Sequence, residues 1–170
     1  MLVKMFRKPE EAKEVLRILN KEFKYFVRLF AIARDLRASA GNPKKRKKAK
    51  ADFKELGKFE DWEQLNSPVE KLKNAAGKLM SIIHPSVRRN VQTCLKQMEV
   101  FEAQTLFDTS EKLGPEIEGK KQGEIDWQKV AVITDKIIEH LQALVAVDTE
   151  LREIVKKGPY AANPRQALAR

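Results

Sequence analysis

Apolar residues repeat at helical intervals over most of the chain. Along residues 9–40 two apolar seams run side by side, so this segment presents a wide apolar face and is predicted to be a long helix from Pro9 to Ala40. The first seam contains Ala12, Leu16, Leu19, Phe23, Phe26, Phe30 and Ala33, and the second contains Val15, Ile18, Tyr25, Leu29, Ile32 and Leu36.

Three further segments show the same periodicity. We predict a helix over Pro68 to Ile83, a longer one after the break at His84 and Pro85, and a last one over Trp127 to Lys157. Residues 44–66 carry spaced apolar residues that predict one or two short helices packed across the others: Phe53, Leu56, Phe59, Trp62 and Leu65. No strand-like alternation competes, so the expected fold is all-α, an antiparallel bundle of four main helices.

Local signals mark the ends of these helices. Gly41, Gly114 and Gly158 each come shortly before a proline, a pattern typical of a glycine just past a helix end. Ser67 to Glu70 has the order of a capping box, and Asp126 is the expected cap of the last helix. The segment 115–125 is expected to be a mobile loop. The chain thus reads as one domain over residues 1–157 and a flexible tail over 158–170.

Composition narrows the class of protein further. A chain of 170 residues suffices for one domain with a core, and a single cysteine, Cys94, excludes internal disulfides and cysteine zinc sites. The apolar run at the N-terminus is too brief for a signal peptide, and eighteen consecutive apolar residues occur nowhere. The expectation is a soluble, cytoplasmic protein.

The positive charge is concentrated in the first third of the chain. The net charge is +10, and residues 1–58 carry 18 Lys and Arg against 7 Asp and Glu, while the remainder is almost balanced. Six cations fall within seven positions: Lys44, Lys45, Arg46, Lys47, Lys48 and Lys50. Cations in the first turns of a helix oppose its dipole by about 0.3–1 kcal/mol each. The run therefore works against its own folding, and we interpret it as a docking surface for a polyanion; the plainer interpretation is a solvated segment that maintains solubility.

The first helix supports a docking surface. Five cations form one stripe when positions are laid out at about 100° per residue, opposite the apolar seams: Lys13, Arg17, Lys21, Lys24 and Arg28. Glu10 and Glu14 are expected to neutralise only the N-terminal end of this stripe. If residues 44–58 fold back beside the helix, the run and the stripe form one continuous basic face.

These observations predict a noncatalytic protein that binds DNA or RNA through its phosphate backbone, using the six cations of the run together with Arg17, Lys21, Lys24 and Arg28. The alternative function is assembly: self-association, or binding to other helices or to an acidic protein. A membrane surface is disfavoured because the apolar arc of the first helix is wide enough to be buried. Residues 44–47 also match a nuclear import signal, should the protein be eukaryotic.

Four polar residues fall on the apolar helix faces: Glu22, Glu102, His140 and Asp148. Buried charge is costly without a partner, so we expect structural pairing. A di-metal site is disfavoured because no Glu-x-x-His motif precedes His84 or His140. Cys94 occupies a seam position typical of packing, and catalytic or phosphate-binding motifs are absent. No enzymatic activity, metal or cofactor is predicted.

Overall fold

The computed structural model describes residues 6–57 and 68–159, which form helices and the turns between them, without a strand. The all-α prediction is therefore confirmed. The helices are α1 (Pro9–Ala38), α2 (Arg46–Gly57), α3 (Pro68–Ile82), α4 (Arg88–Phe107), α5 (Gly114–Ile117) and α6 (Trp127–Lys157). The predictions for Phe59, Trp62, Leu65, Ser67 and the tail from residue 160 lie outside the described residues.

α6 follows its local signals closely. The Asp126 side chain accepts a hydrogen bond from the Lys129 backbone N–H at 3.2 Å, which caps the first turn. At the other end Gly158 adopts a φ of 97° and its N–H donates to the Ile154 carbonyl. Both predicted ends of α6 are confirmed, because both are set by residues adjacent in sequence.

α1 ends differently from the prediction. It begins with Pro9 in the first turn and ends at Ala38, and Gly41 does not have a positive φ, so the predicted glycine cap is wrong. The backbone N–H of Ser39 donates to the Asp35 carbonyl, and the Ser39 hydroxyl donates to the same carbonyl at 2.8 Å. The helix ends by tightening, since the backbone N–H groups of Ala40 and Gly41 donate to the carbonyls three residues back, those of Arg37 and Ala38.

The predicted stop at Gly114 is also wrong. After α4 the chain continues as a π-helical segment over Asp108–Leu113 and enters α5 with Gly114 in a right-handed helical conformation, φ −51°. Consequently residues 115–125 are not one loop: α5 runs to Ile117, and a short 3₁₀ turn forms at Gln122–Glu124. The wider π turn brings Asp108 and Thr109 into buried positions.

The four long helices pack in a ring around one core. α1 contacts α3 and α6, α4 contacts the same two helices, and α2 lies against α1. The fully buried side chains include Leu19 of α1, Leu72 of α3, Met98 of α4 and Leu141 of α6. The Phe26 ring meets the Phe101 ring edge to face, with centroids 6.0 Å apart. Both apolar seams of α1 thus contribute to the interior. None of the described helices has the combination of length and apolar character needed to cross a bilayer.

Candidate functional site

α2 has a defined inner side, and this divides the cationic run. Ala49 and Phe53 are buried, at 1% and 8% exposure, and they fix which face of α2 meets the rest of the protein. Positions three or four residues away lie on the same face. Arg46 and Lys50 fall on this inner face and are half-buried, whereas the remaining cations of the run are exposed.

Arg46 closes the end of α1. Its Nε donates to the carbonyl of Ser39 at 2.9 Å, and a terminal guanidinium nitrogen donates to the carbonyl of Ala40 at 3.1 Å. The guanidinium carbon also lies 5.7 Å from the centroid of the Trp127 ring, within cation–π range. These carbonyls would otherwise lack partners at the helix end. Arg46 therefore joins α1, α2 and α6, and two of its five N–H donors are used inside the molecule.

Lys50 also serves the fold. Its Nζ donates to the backbone carbonyl of Lys120 at 2.8 Å, seventy positions away in sequence. This contact connects α2 to the turn that follows α5. An ammonium group held on a partly buried carbonyl is less accessible to an external anion than a solvated one. Of the six predicted cations of the run, the structure directs Arg46 and Lys50 inward.

The other four cations of the run point outward. Lys44, Lys45 and Lys47 are exposed, and their side chains make no ion pair within residues 6–57 and 68–159. Lys48 lies 4.0 Å from Asp35 of α1, at the limit of an ion pair, with its side chain 75% exposed. Exposed pairs at such distances contribute little attraction. The outward lysines therefore keep their positive potential.

The cations of the stripe on α1, from Lys13 to Arg28, are exposed, as expected for residues on the side of the helix opposite the apolar seams. Lys21 and Lys24 make no ion pair with any described residue. Arg17 does: its guanidinium donates to both carboxylate oxygens of Glu14, at 2.6 and 2.8 Å. This hydrogen bond lowers the pKa of Glu14 and raises that of Arg17. The neutralised N-terminal end of the stripe therefore extends to Arg17, whose charge is locally compensated.

α2 brings the two sets of cations to one side of α1. Asp35, which Lys48 approaches, falls at the same angular position as the α1 stripe when residues are laid out at about 100° each. It lies roughly 10 Å along the helix beyond Arg28. A shallow depression of about 330 Å³ occupies this interval, lined by Ala31, Arg34, Asp35, Ala38 and Lys45. The proximity of run and stripe, a conjecture from the sequence, matches this geometry.

Arg34 belongs to this surface although it was not among the predicted residues. It is exposed, lines the depression with Lys45, and its guanidinium carbon lies 5.8 Å from the Phe30 ring centroid. It was missed because it falls about 100° from the centre of the stripe on a helical projection. Only the position of α2 brings it to the same surface. We refer to Lys21, Lys24, Arg28, Arg34, Lys44, Lys45, Lys47 and Lys48 as the basic face.

The four inward polar residues each have a partner, as predicted. Glu22 lies 3.6 Å from Lys71, and Glu102 lies 3.7 Å from Lys73, so both carboxylates meet lysines of α3. Asp148 accepts a hydrogen bond from Arg152 Nε at 2.7 Å, and burial raises the pKa of Asp148 against the opposing effect of that arginine.

His140 forms the fourth of these contacts. Its Nδ1 lies 3.6 Å from Asp108 Oδ2 and 3.5 Å from the Thr105 hydroxyl. Asp108 was not singled out from sequence, because its burial depends on the π turn. In the described part of the chain, His, Cys, Asp and Glu side chains form no group of three suited to hold a metal ion. The four residues are separated from one another and serve helix packing.

Cys94 has the environment of a packing residue. It is 3% exposed, and burial raises the pKa of its thiol to about 11, an effect to which Glu150 adds. A thiol with so high a pKa is almost entirely protonated at neutral pH and is a poor nucleophile.

The comparisons with known proteins give no relative. No family model, no curated protein and no solved structure matches this chain.

Proposed function

We propose that this protein binds nucleic acid through phosphate contacts made by the basic face, without reading bases and without catalysing a reaction. The observation that carries this proposal is the set of Lys44, Lys45 and Lys47, three neighbouring cations that are exposed and have no ion-pair partner in the described ranges. Lys and Arg side chains bind phosphate backbones by displacing condensed counterions, which requires exposed charge and no sequence readout.

The environment of α1 favours a nucleic acid over an anionic lipid surface. An interfacial helix binds lipid through its apolar side. In this protein Val15, Leu19 and Phe26, on the apolar side of α1, are each at most 2% exposed within the core. Binding to a lipid surface would therefore depend on charge alone. For a polyphosphate chain charge is sufficient, and the basic face provides it.

The aromatic residues favour backbone contacts over base stacking. Phe53, the aromatic residue of α2, is buried, and Phe30 lies half-buried beside Arg34. Stacking on single strands requires exposed rings along the cationic groove. Within the described part of the basic face no such ring is exposed, so we propose duplex nucleic acid as the preferred ligand.

We also infer that the four long helices form an antiparallel bundle, the framework on which the basic face is mounted. Contacts between neighbouring helices support opposite chain directions. On α1 and α6, Asn20 pairs with Arg152 and Arg37 with Asp135. On α3 and α4, Lys73 approaches Glu102 while Arg88 donates to the Met80 carbonyl. In both pairs the numbers rise along one helix as they fall along the other.

The proposal is tested with a triple variant, Lys44→Gln, Lys45→Gln and Lys47→Gln. Binding to a short mixed-sequence DNA duplex, measured by fluorescence anisotropy at several salt concentrations, is expected to weaken roughly 10- to 100-fold at low salt. The slope of log K against log salt is expected to flatten by roughly 2.7, at about 0.9 per lost phosphate contact.

The matched control removes three exposed cations elsewhere: Arg89→Gln, Lys96→Gln and Lys156→Gln. It has the same change in net charge but leaves the basic face intact, so its salt slope should stay within about 1 of the wild-type value. Equal behaviour of the two triple variants, or absence of binding by the wild-type protein at low salt, would refute the proposal.

A further inference from the structure

A second surface, the groove between α1 and α6, adjoins the basic face at Arg34 and carries exposed apolar residues. Its wider part, about 1110 Å³, extends from Phe30 on α1 to Ala40 just past the end of that helix, and from Gln128 to Gln142 on α6. Val27 of α1 is 55% exposed and Val145 of α6 is 41% exposed. Valines this exposed leave about half of their apolar surface in water, which a partner could bury.

The side chains that border the groove repeat with a helix-packing rhythm. On α1 they alternate four and three residues apart: Phe23, Val27, Phe30, Arg34 and Arg37. On α6 one row of groove residues is spaced by multiples of seven, Ala131, Ile138 and Arg152, and Val145 occupies the intervening position of that row. A seven-residue repeat is the spacing by which helices pack side by side over several turns. The groove is therefore shaped to receive another pair of helices.

Charge along the groove is divided between its two sides. In its wider part the α1 side carries Arg34 and Arg37, whereas the α6 side carries Asp135 and Glu139. A surface with one basic and one acidic edge is complementary to itself when a second copy is turned about an axis parallel to the helices, because each basic edge then meets an acidic edge. An axis perpendicular to the helices would instead oppose like charges.

The register of α1 and α6 places the complementary residues at matching heights. Asn20 meets Arg152 and Arg37 meets Asp135, so seventeen residues forward on α1 correspond to seventeen residues backward on α6. By the same register Val27 lies level with Val145, and Arg34 lies level with Ile138, next to Glu139. A rotation about an axis parallel to the helices preserves these heights.

We propose that the α1–α6 face is a symmetric interface between two copies of this chain. In the dimer, Arg34 of one subunit meets Glu139 of the partner subunit, and Val27 packs on the partner subunit's Val145. Each contact occurs twice by symmetry. The interface shares Arg34 with the basic face and leaves out Lys44, Lys45 and Lys47, so dimerisation is measured without nucleic acid.

A charge exchange tests the pairing. Arg34→Glu and Glu139→Arg, made singly, should each weaken the dimer roughly tenfold or more, measured as the dissociation constant by sedimentation velocity over a concentration series. The double variant should recover to within about threefold of wild type, because the two reversed charges again face each other. A double variant that dimerises no better than the singles contradicts the proposed pairing.

A second pair of variants tests the apolar contact. Val27→Asp should abolish the dimer at concentrations where the wild type is dimeric, whereas Val100→Asp, at an equally exposed valine on α4, should leave it unchanged. Circular dichroism melting verifies that both variants fold. A wild-type protein that sediments as a monomer at about 1 mM overturns the proposal, as does loss of the dimer in both valine variants.

Discussion

Lys44, Lys45 and Lys47 project into solvent with no ion-pair partner in the described ranges, whereas the inward residues Glu102 and Asp148 each lie against a cationic side chain. The two regions differ in how far water reaches the charge. A desolvated charge costs several kcal/mol unless it is paired, so the interior accepts only matched groups. A solvated lysine costs the fold little.

This difference separates what charge does for the fold from what it can do for a ligand. The inward carboxylates are neutralised by nearby cations: Glu22 and Glu102 by lysines of α3, and Asp148 by Arg152 of its own helix. Lys44, Lys45 and Lys47 neutralise no acidic side chain among the described residues, so ion pairing within the fold does not explain their accumulation in one segment. The run on α2 is informative because it contains both kinds: Arg46 and Lys50 face the protein, and Lys47 faces solvent.

The largest expected effect is the difference between a substitution at Arg46, which faces the protein, and one at Lys47, which faces solvent. Arg46→Ala should lower the free energy of unfolding by about 2–3 kcal/mol, because it removes two charged hydrogen bonds to the Ser39 and Ala40 carbonyls and the contact with Trp127. Lys47→Ala, one residue away and exposed, should change it by less than about 0.5 kcal/mol. Urea denaturation measures both, and equal destabilisation would remove the distinction between the two kinds of cation.

A smaller effect is expected at Asp148, an inward carboxylate that lacks one hydrogen bond. Asp148 has one buried oxygen, Oδ1, with no hydrogen-bond partner among the described residues, and burial raises its pKa above the ordinary value of 3.8. The native state then holds a proton at pH values where the unfolded chain has lost it. Any stability from this group is complete below pH 3.8 and is lost as the pH rises through the folded-state pKa.

Asp148→Asn removes this dependence. Relative to wild type it should gain stability as the pH rises, reaching about 1 kcal/mol at neutral pH, because a neutral amide costs less to bury than a carboxylate. Denaturation midpoints at several pH values measure the difference. Glu150→Gln, at an exposed carboxylate in the same helix, should show a difference that stays within about 0.5 kcal/mol. A difference for Asp148→Asn that falls with rising pH would reverse the assigned effect of burial.

Sequence predicted those parts of the fold that depend on neighbouring residues. The ends of α6 follow from Asp126 and Gly158, whose capping contacts span four residues or fewer. The stop at Gly114 failed because burial of the π turn outweighed the local preference of a glycine followed by a proline. The partners of Glu22 and Glu102 could not be predicted, since both belong to α3 and no local pattern specifies which lysine they meet.

For the candidate site, the sequence indicated where the positive charge is concentrated, but the prediction gave all six cations of the run the same role. The buried side of α2 could have been predicted from the apolar residues Ala49 and Phe53, and Arg46 and Lys50 lie on that same side. The position of α2 against α1 could not be predicted from the sequence. For that reason the sequence did not indicate that Lys45 and Arg34 border the same depression.

The smallest expected effect concerns the exposed surface of α1, where the charge of one arginine is neutralised by a neighbouring carboxylate. Glu14 and Arg17 form a pair joined by two hydrogen bonds on the same side of α1 as Lys21 and Lys24. Since its charge is already balanced locally, Arg17→Gln should weaken duplex binding less than Lys24→Gln does. Glu14→Gln, which frees Arg17, should strengthen binding about two- to threefold at low salt, because one more cation becomes available to phosphate. Anisotropy titrations of the three variants give the order directly. An unchanged affinity in Glu14→Gln together with a large loss in Arg17→Gln would mean that pairing leaves a surface arginine fully available, and exposure rather than compensation would then define the basic face.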